Sequence, residues 1–181
     1  MEITSNARID APLDVVWGLL SDIPRVSRCL PGTEITEIVD ERTYKAIVNV
    51  KVGPLSVSYK ATIALKSLDA ETHASRFTVD AVDVKGRGYA TAIVSNSAQA
   101  DGDGTAISVV ADAKVSGVIA QFGQGVMKDV AGRIMQQFAL NVGNEVKGLR
   151  PETQQSAKLD AGAVVAGVVG DKLKGVFGGN R

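Results

Sequence analysis

The residues able to perform acid–base or nucleophilic chemistry are few in this 181-residue chain and lie far apart. The single histidine, His73, comes at an expected turn before a strand, which favours a surface position over a general base. The single cysteine, Cys29, has no histidine near it in sequence, so the pattern favours a buried structural thiol over an activated nucleophile. One cysteine also excludes an intrachain disulfide and a cysteine-cluster metal site.

Two glycine-containing segments have superficial similarity to phosphate-binding loops, and neither fits one. Gly86 and Gly88 do not lead from a strand into a helix, as a dinucleotide-binding loop requires. The segment Gly123-Gln124-Gly125 lies within a helical pattern and lacks the lysine and hydroxyl of a phosphate-binding loop. Carboxylates are scattered, and no spacing is typical of a metal site. These patterns predict a protein that is not an enzyme.

The charge balance argues against general nucleic-acid binding, because 20 basic residues are matched by 20 acidic ones. From Lys147 to Arg181, however, six basic residues accompany three acidic ones, an excess that favours weak attraction to anionic lipids. The N-terminus shows no signal-peptide pattern. The longest apolar run, Ala161 to Gly170, is shorter than the roughly 20 residues of a membrane span. We therefore expect a cytoplasmic protein that visits a membrane surface.

Seven segments have the alternation and flanking turn residues of β-strands. They are residues 2–10, 33–39, 43–52, 55–68, 73–84, 88–100 and 105–115. In the fourth segment the apolar residues from Val57 to Leu65 occupy every second position, which is typical of an antiparallel strand with one wet face. Pro12 and Pro24 stand where two short helices would begin, between the first two strands.

A change of period marks a long helix near the end of the strand region. Apolar residues recur every fourth position from Phe122 to Val146, which predicts a helix over 118–146. Its glycines lower its intrinsic helix propensity, so it must be supported by packing. A curled antiparallel sheet of about seven strands covered by one long C-terminal helix is an α+β helix-grip arrangement.

The expected inner face of the sheet is lined by small side chains. They include Ala46, Ala61, Ala81, Ala111 and Ala113. Since unfilled volume costs on the order of 24 cal/mol per Å³, a large void is best retained when a ligand occupies it. The alternative is that larger helix side chains fill the sheet, and periodicity alone leaves both possibilities open. Those side chains are Phe122, Met127, Ile134, Met135 and Phe138.

Beyond the predicted domain at residues 1–148 the composition changes. Residues 149–160 are polar and predict a linker, and residues 161–181 predict an amphipathic tail. Its apolar face includes Val164, Val165, Val168, Val169, Leu173, Val176 and Phe177. Glycines make this segment a poor autonomous helix, so it should fold only when covered. A membrane surface or a partner is favoured over the protein's own domain, and a disordered tail is the remaining alternative.

Several motifs occur together in order over about residues 1–146. They are Met1-Glu2-Ile3, Ile9-Asp10-Ala11-Pro12, Val16-Trp17, Cys29-Leu30-Pro31-Gly32, Val50-Lys51-Val52-Gly53-Pro54 and Ile119-Ala120-Gln121-Phe122-Gly123. Together they make the chain resemble the CoxG family, the G subunits of carbon monoxide dehydrogenase. That family belongs to the START-like helix-grip superfamily, also called SRPBCC.

The resemblance implies an accessory protein of a molybdenum-containing carbon monoxide dehydrogenase or a related hydroxylase. It also implies attachment of that enzyme to the inner face of the cytoplasmic membrane, and binding of an apolar molecule between sheet and helix. We hypothesise that the cargo is a respiratory quinone, either menaquinone or ubiquinone, which takes part in electron transfer. The alternatives are a structural membrane adaptor without ligand and a START-like enzyme acting on an apolar substrate.

Under this hypothesis the isoprenoid tail would contact the long helix and the inward strand residues. The helix residues are Phe122, Val126, Met127, Val130 and Ile134. The strand residues are Tyr59, Ile63, Phe77, Val79, Ile107 and Val109. Tyr44 and Tyr89 would supply hydroxyls to a quinone carbonyl, because a buried phenol normally finds a hydrogen-bond partner.

Overall fold

The structure, a computed structural model, describes residues 1–149. These residues contain the predicted domain at 1–148. The predicted linker at 149–160, apart from its first residue, lies outside the described residues. The predicted tail at 161–181, with all of its docking residues, also lies outside them.

Within the described part of the chain, seven antiparallel strands form one sheet, as the alternation predicted. They are β1 (Glu2–Ile9), β2 (Thr33–Ile38), β3 (Thr43–Val52), β4 (Leu55–Asp69), β5 (Ala74–Asp83), β6 (Tyr89–Asp101) and β7 (Gly104–Val115). Their spatial order is β1-β7-β6-β5-β4-β3-β2. Strands β2 to β7 therefore form a meander, and β1 pairs with β7 at the far edge.

Two short helices, α1 (Leu13–Leu20) and α2 (Ile23–Ser27), connect β1 to β2. Pro12 is the N-cap of α1 and has an extended backbone. At α2 the side chain of Asp22 accepts a 3.1 Å hydrogen bond from the backbone N–H of Arg25. This bond satisfies a donor that the first turn of a helix would otherwise leave unpaired.

The long helix begins later than the sequence pattern predicted. A 3-10 turn at Ile119–Phe122 comes first, and the α-helix α3 runs over Gly123–Val146. Between them Gly123 has a φ of 74°. This left-handed backbone conformation interrupts a helix and is readily adopted only by glycine. The predicted helix at 118–146 is therefore divided, and the 3-10 turn buries Ile119 at 2 % exposure.

Strand pairing assigns every strand residue to one of two faces, because directly paired residues share a face. Tyr59 on β4 pairs with Asp83 on β5, and Val94 on β6 pairs with Phe77 on β5. The face that contains these four residues carries the buried side chains of the sheet and is called the inner face. The opposite face, called the outer face, carries exposed residues such as Lys60.

The C-terminal half of α3 is held by a first apolar cluster. This cluster combines residues of β1, α1, β6, β7 and α3, and Val142 at its helix side is fully buried. Its buried members are Ile9, Ala11, Val16, Leu19, Cys29, Ala98, Ile107, Met135, Phe138, Ala139 and Val142. Because burial of each large apolar side chain contributes about 1.5–3 kcal/mol, this cluster fixes one end of the helix firmly.

Polar contacts strengthen the same attachment. The side-chain amide of Asn141 on α3 donates a 2.9 Å hydrogen bond to the carbonyl of Cys29, just after α2. One turn further along, Glu145 forms a 3.2 Å ion pair with Arg25 of α2. The helix is thus joined to the α2 region by a buried hydrogen bond and by a partly exposed charge pair.

A second apolar cluster lies at the other end of the sheet. Its buried members are Val52, Val57, Tyr59, Ala61, Ala81 and Ile119. Phe122, Met127 and Val130 pack against it from the 3-10 turn and the N-terminal half of α3. The helix therefore spans two clusters that do not merge, although most domains of this size contain one contiguous core.

We expect Met135→Ala to lower the free energy of unfolding by about 2–5 kcal/mol, because Met135 is 5 % exposed within the first cluster. Leu140→Ala on the same helix is the matched control, since Leu140 is 62 % exposed and its loss should change stability by less than about 0.5 kcal/mol. Urea denaturation followed by circular dichroism measures both. Equal destabilisation of the two variants would contradict this placement of α3.

Candidate ligand-binding groove

The centre of the inner face is apolar but only half-buried. Five of its side chains belong to neither cluster, and they define what we call the central groove. They are Phe77, Ala92, Val94, Ala111 and Ala113. Val94 pairs with both Phe77 and Ala111, and Ala92 pairs with Ala113, so the five form one patch across β5, β6 and β7.

Helix α3 lies over this patch without filling it. Val130 packs against the second cluster and Met135 belongs to the first, whereas Ala131 and Ile134 between them are half-buried and belong to neither. The main strand contact of α3 is with β1, at one edge of the sheet. Since protein interiors are normally close-packed, a half-buried apolar strip beneath a helix indicates space for another apolar molecule.

Most residues predicted to contact a ligand lie along this groove or at its ends. Phe77 is in the groove and Ile134 lies above it. Tyr59, Ile63, Val79, Phe122, Met127 and Val130 belong to the second cluster or pack against it, and Ile107 and Val109 do the same at the first. The structure thus arranges these residues in one continuous apolar track.

Three predicted residues are placed differently. Tyr89 pairs with Val82 on the outer face and is 54 % exposed, so it does not reach the groove. Tyr44 is on the inner face, but its hydroxyl already donates a 2.8 Å hydrogen bond to the carbonyl of Glu41. Val126 is 38 % exposed near the start of α3. The expectation that Tyr44 and Tyr89 offer hydroxyls to a ligand is therefore wrong.

An ion pair with a buried carboxylate occupies the end of the inner face near the second cluster. The guanidinium of Arg87 donates hydrogen bonds to the carboxylate of Asp83, from Nε at 2.6 Å and from Nη2 at 3.4 Å. The backbone N–H groups of Lys85 and Arg87 donate to the same carboxylate, at 3.2 and 3.3 Å. The Asp83 side chain is 2 % exposed, whereas that of Arg87 is 32 % exposed.

These contacts change the acidity of three neighbouring groups. The hydrogen bond from Arg87 holds the pKa of the Asp83 carboxyl below its usual range, and the pKa of the guanidinium is raised in return. Burial, followed by the charge of Asp83, raises the pKa of Tyr59, while Arg87 lowers it in part. At neutral pH the Tyr59 phenol therefore keeps its proton and can donate a hydrogen bond.

The loop that carries Arg87 is held in place by close backbone packing. Gly117, with a φ of 80°, lies against the carbonyl of Arg87 and against Gly88. A side chain at Gly88 would meet the carbonyl of Ser116, so neither glycine leaves room for a Cβ. The β5–β6 loop and the segment after β7 are therefore held together, which fixes the backbone position of Arg87.

Other polar side chains lie toward the opposite end of the inner face. His73 has a φ of 49° in the β4–β5 turn, and its ring meets Trp17 edge-on with centroids 5.2 Å apart. The amide of Asn96 donates a 3.2 Å hydrogen bond to the hydroxyl of Ser75. These groups are occupied by one another and do not form a nucleophile–base pair.

Cys29 is fully buried, and burial raises the pKa of its thiol to about 11. It is therefore an unreactive thiol at neutral pH. No group of three or more metal-ligating side chains occurs among residues 1–149. Two shallow depressions of about 350 Å³ each lie on the outer face, lined by polar residues such as Ser97 and Thr62. Their lining is exposed and polar, so neither is the apolar site.

Sequence reasoning missed the pair Asp83 and Arg87. The signal was present in weak form, because Asp83 falls on the same alternation as Val79 and Ala81 and is therefore a charged residue at an inward position. Its partner lies in a loop, where alternation carries no information. Only the folded loop shows that the carboxylate is neutralised.

Comparisons with known proteins agree with this architecture. The family model CoxG, which describes the G subunits of carbon monoxide dehydrogenase, matches residues 6–147. No match is found among curated protein sequences. None of the described helices is long and apolar enough to cross a membrane.

Solved structures with the same fold include three with distant sequences. A conserved protein from Geobacillus kaustophilus has a TM-score of 0.72 at 20 % identity, covering 82 % of this chain and 96 % of that one. The ZhuI aromatase/cyclase from Streptomyces sp. R1128 has 0.56 at 15 %, covering 81 % and 93 %. A START superfamily protein from Mycobacterium smegmatis has 0.52 at 14 %, covering 82 % and 98 %. These similarities show the START-like α+β fold.

We expect Asp83→Asn to destabilise the protein at neutral pH, with a difference from wild type that narrows as pH falls through about 4. A carboxyl with a lowered folded-state pKa stabilises the fold above its unfolded pKa of about 3.9, and that contribution is lost as acid protonates it. Denaturant titrations between pH 7 and pH 3 measure the difference. Asp80→Asn, an exposed outer-face position on the same strand, is the control, and a pH-independent gap at Asp83 would contradict the assignment.

Proposed function

Because the chain belongs to the CoxG family of carbon monoxide dehydrogenase, we propose that it is a non-catalytic accessory protein that carries a respiratory quinone. Its partner is a molybdenum-containing carbon monoxide dehydrogenase or a related hydroxylase. The protein loads menaquinone or ubiquinone at the inner face of the cytoplasmic membrane and presents it to that enzyme as electron acceptor.

The observation that carries this proposal is the central groove. Its floor is apolar, three of its five residues are alanines, and all five are half-buried. Apolar surface that faces an interior but remains partly accessible is typical of a ligand site. An isoprenoid chain would complete the burial of Phe77 and Val94, with a gain of about 25 cal/mol per Å² of apolar area removed from water.

A carrier fits the chemistry of the described residues better than a catalyst does. The Cys29 thiol is buried with a raised pKa, the imidazole of His73 packs against Trp17, and the carboxylate of Asp83 is saturated by hydrogen bonds. Catalysis of acyl or proton transfer needs a nucleophile or base within reach of the reacting atom. The similarity to an aromatase/cyclase is one of fold.

Membrane linkage is assigned to the C-terminal tail at residues 161–181. Its sequence combines valines, Leu173 and Phe177 at helical spacing with basic residues nearby. Apolar burial together with attraction to anionic headgroups gives reversible binding of the kind that a shuttling carrier needs.

Two neighbouring residues of β6 provide a direct test of the groove. Val94→Trp places an indole in the groove and should abolish binding of decylubiquinone while the protein remains folded. Ile93→Trp is the control, because Ile93 points to the outer face and is 40 % exposed. Quinone binding is measured by equilibrium dialysis, and folding by circular dichroism. Unchanged binding to a folded Val94→Trp variant would exclude the central groove as the quinone site.

A second test concerns the tail in the full-length protein. Val168→Asp combined with Leu173→Asp should release the protein from vesicles that contain anionic phospholipid, because each carboxylate opposes burial of the apolar face. Gln155→Asp, in the predicted linker, adds a similar charge and should leave binding unchanged. Vesicle cosedimentation measures all three proteins. Retention of the double variant on vesicles would move the membrane contact to another part of the protein.

A further inference from the structure

The hydroxyl of Tyr59 is unusual among the polar groups of the inner face. The residue is only 6 % exposed, and no group among residues 1–149 hydrogen-bonds to its hydroxyl. No polar side-chain atom in this part of the chain is both fully enclosed and unpaired, so the hydroxyl retains some accessible surface. A buried phenol that keeps its donor free and accessible is placed to meet a ligand.

The surroundings of Tyr59 supply a further donor and no free acceptor of comparable strength. Arg87 uses Nε and Nη2 on Asp83, and among the described residues its Nη1 has no acceptor. The Asp83 carboxylate accepts from the Arg87 side chain and from two backbone N–H groups. What remains available at this end of the inner face is therefore the O–H of Tyr59 and one edge of a guanidinium.

We propose that Tyr59 and Arg87 form a receptor for a neutral carbonyl oxygen, which on the proposed function is a carbonyl of the quinone head group. The two donors are close enough for the charge of Arg87 to act on the Tyr59 phenol. Neighbouring donors at an accessible point select a ligand atom that accepts hydrogen bonds. The isoprenoid chain then runs from this end along the inner face toward Phe77.

The charge of the pair defines the ligand class more narrowly. An unpaired arginine would favour a carboxylate, as in a fatty acid. Here the carboxylate of Asp83 already balances Arg87, so a second anion would be repelled by Asp83 and would lose its hydration for little gain. A ketone or quinone carbonyl loses less on entering and still receives hydrogen bonds, one of them charge-assisted.

The dimensions of the inner face fit this orientation. Asp83 and Phe77 are six residues apart on β5, which corresponds to about 20 Å of extended strand. Between them on the same face lie Ala81 and Val79, both apolar. A head group held near Tyr59 therefore leaves an apolar track, which reaches the central groove, for the chain that follows it.

The test measures decylubiquinone binding to the full-length protein through quenching of its only tryptophan, Trp17. Tyr59→Phe should weaken binding roughly tenfold, the factor expected for loss of one hydrogen bond to a buried ligand. Its thermal stability should be unchanged, because the hydroxyl has no partner among the described residues. Tyr89→Phe, on the outer face, is the matched control and should bind as the wild type does.

Competition with hexadecane and with palmitate separates the head group from the chain. Hexadecane should compete equally with the wild type and the Tyr59→Phe variant, because it has no oxygen. Palmitate should compete poorly with wild type and at least several-fold better with Asp83→Asn, in which the charge of Arg87 is no longer balanced. Equal palmitate competition in both proteins would contradict the role of the charge pair.

The outcomes distinguish this site from the proposed function. Loss of decylubiquinone binding in Val94→Trp, together with wild-type affinity in a folded Tyr59→Phe variant, would overturn the carbonyl receptor and leave the carrier function standing. No binding of decylubiquinone by the wild-type protein itself would overturn both. A tenfold loss confined to Tyr59→Phe, with hexadecane competition unchanged, supports both.

Discussion

The attachment of α3 at two separate places governs the rest of this structure. Its C-terminal half is fixed by the first cluster and by the Asn141–Cys29 hydrogen bond, and its beginning is fixed by Phe122, Met127 and Val130 at the second cluster. A helix held at both ends of a curved sheet spans the middle without touching it everywhere. The small side chains of the central groove keep that middle open.

The same attachment explains why an open groove is tolerated. Two anchored clusters contribute most of the apolar burial, so the domain does not depend on filling the space between them. Partial accessibility of the groove lowers the cost of entry and exit for a ligand, because no core has to be opened. An occupant that is loaded at one surface and released at another requires this kind of reversible burial.

The polar end of the inner face adds direction to an otherwise uniform apolar track. Asp83 keeps Arg87 in one orientation, and the packing of Gly88 against Gly117 keeps the loop in one conformation. The carboxylate neutralises the cation and at the same time leaves part of it exposed. A molecule with one polar end and one apolar end is therefore bound in a single orientation.

The sequence by itself determined the seven strands, the two short helices, the long helix and the family, because alternation, turn residues and ordered motifs are local properties. Alternation also placed Tyr59, Ile63 and Phe77 on one face. It failed at β6, where apolar residues occupy both faces and local periodicity cannot orient Tyr89. Tertiary structure alone decided which phenol remains free, since Tyr44 bonds to Glu41 across a turn. It alone also brought Arg87 from a loop to Asp83, because contacts between a loop and a strand leave no periodic trace in sequence.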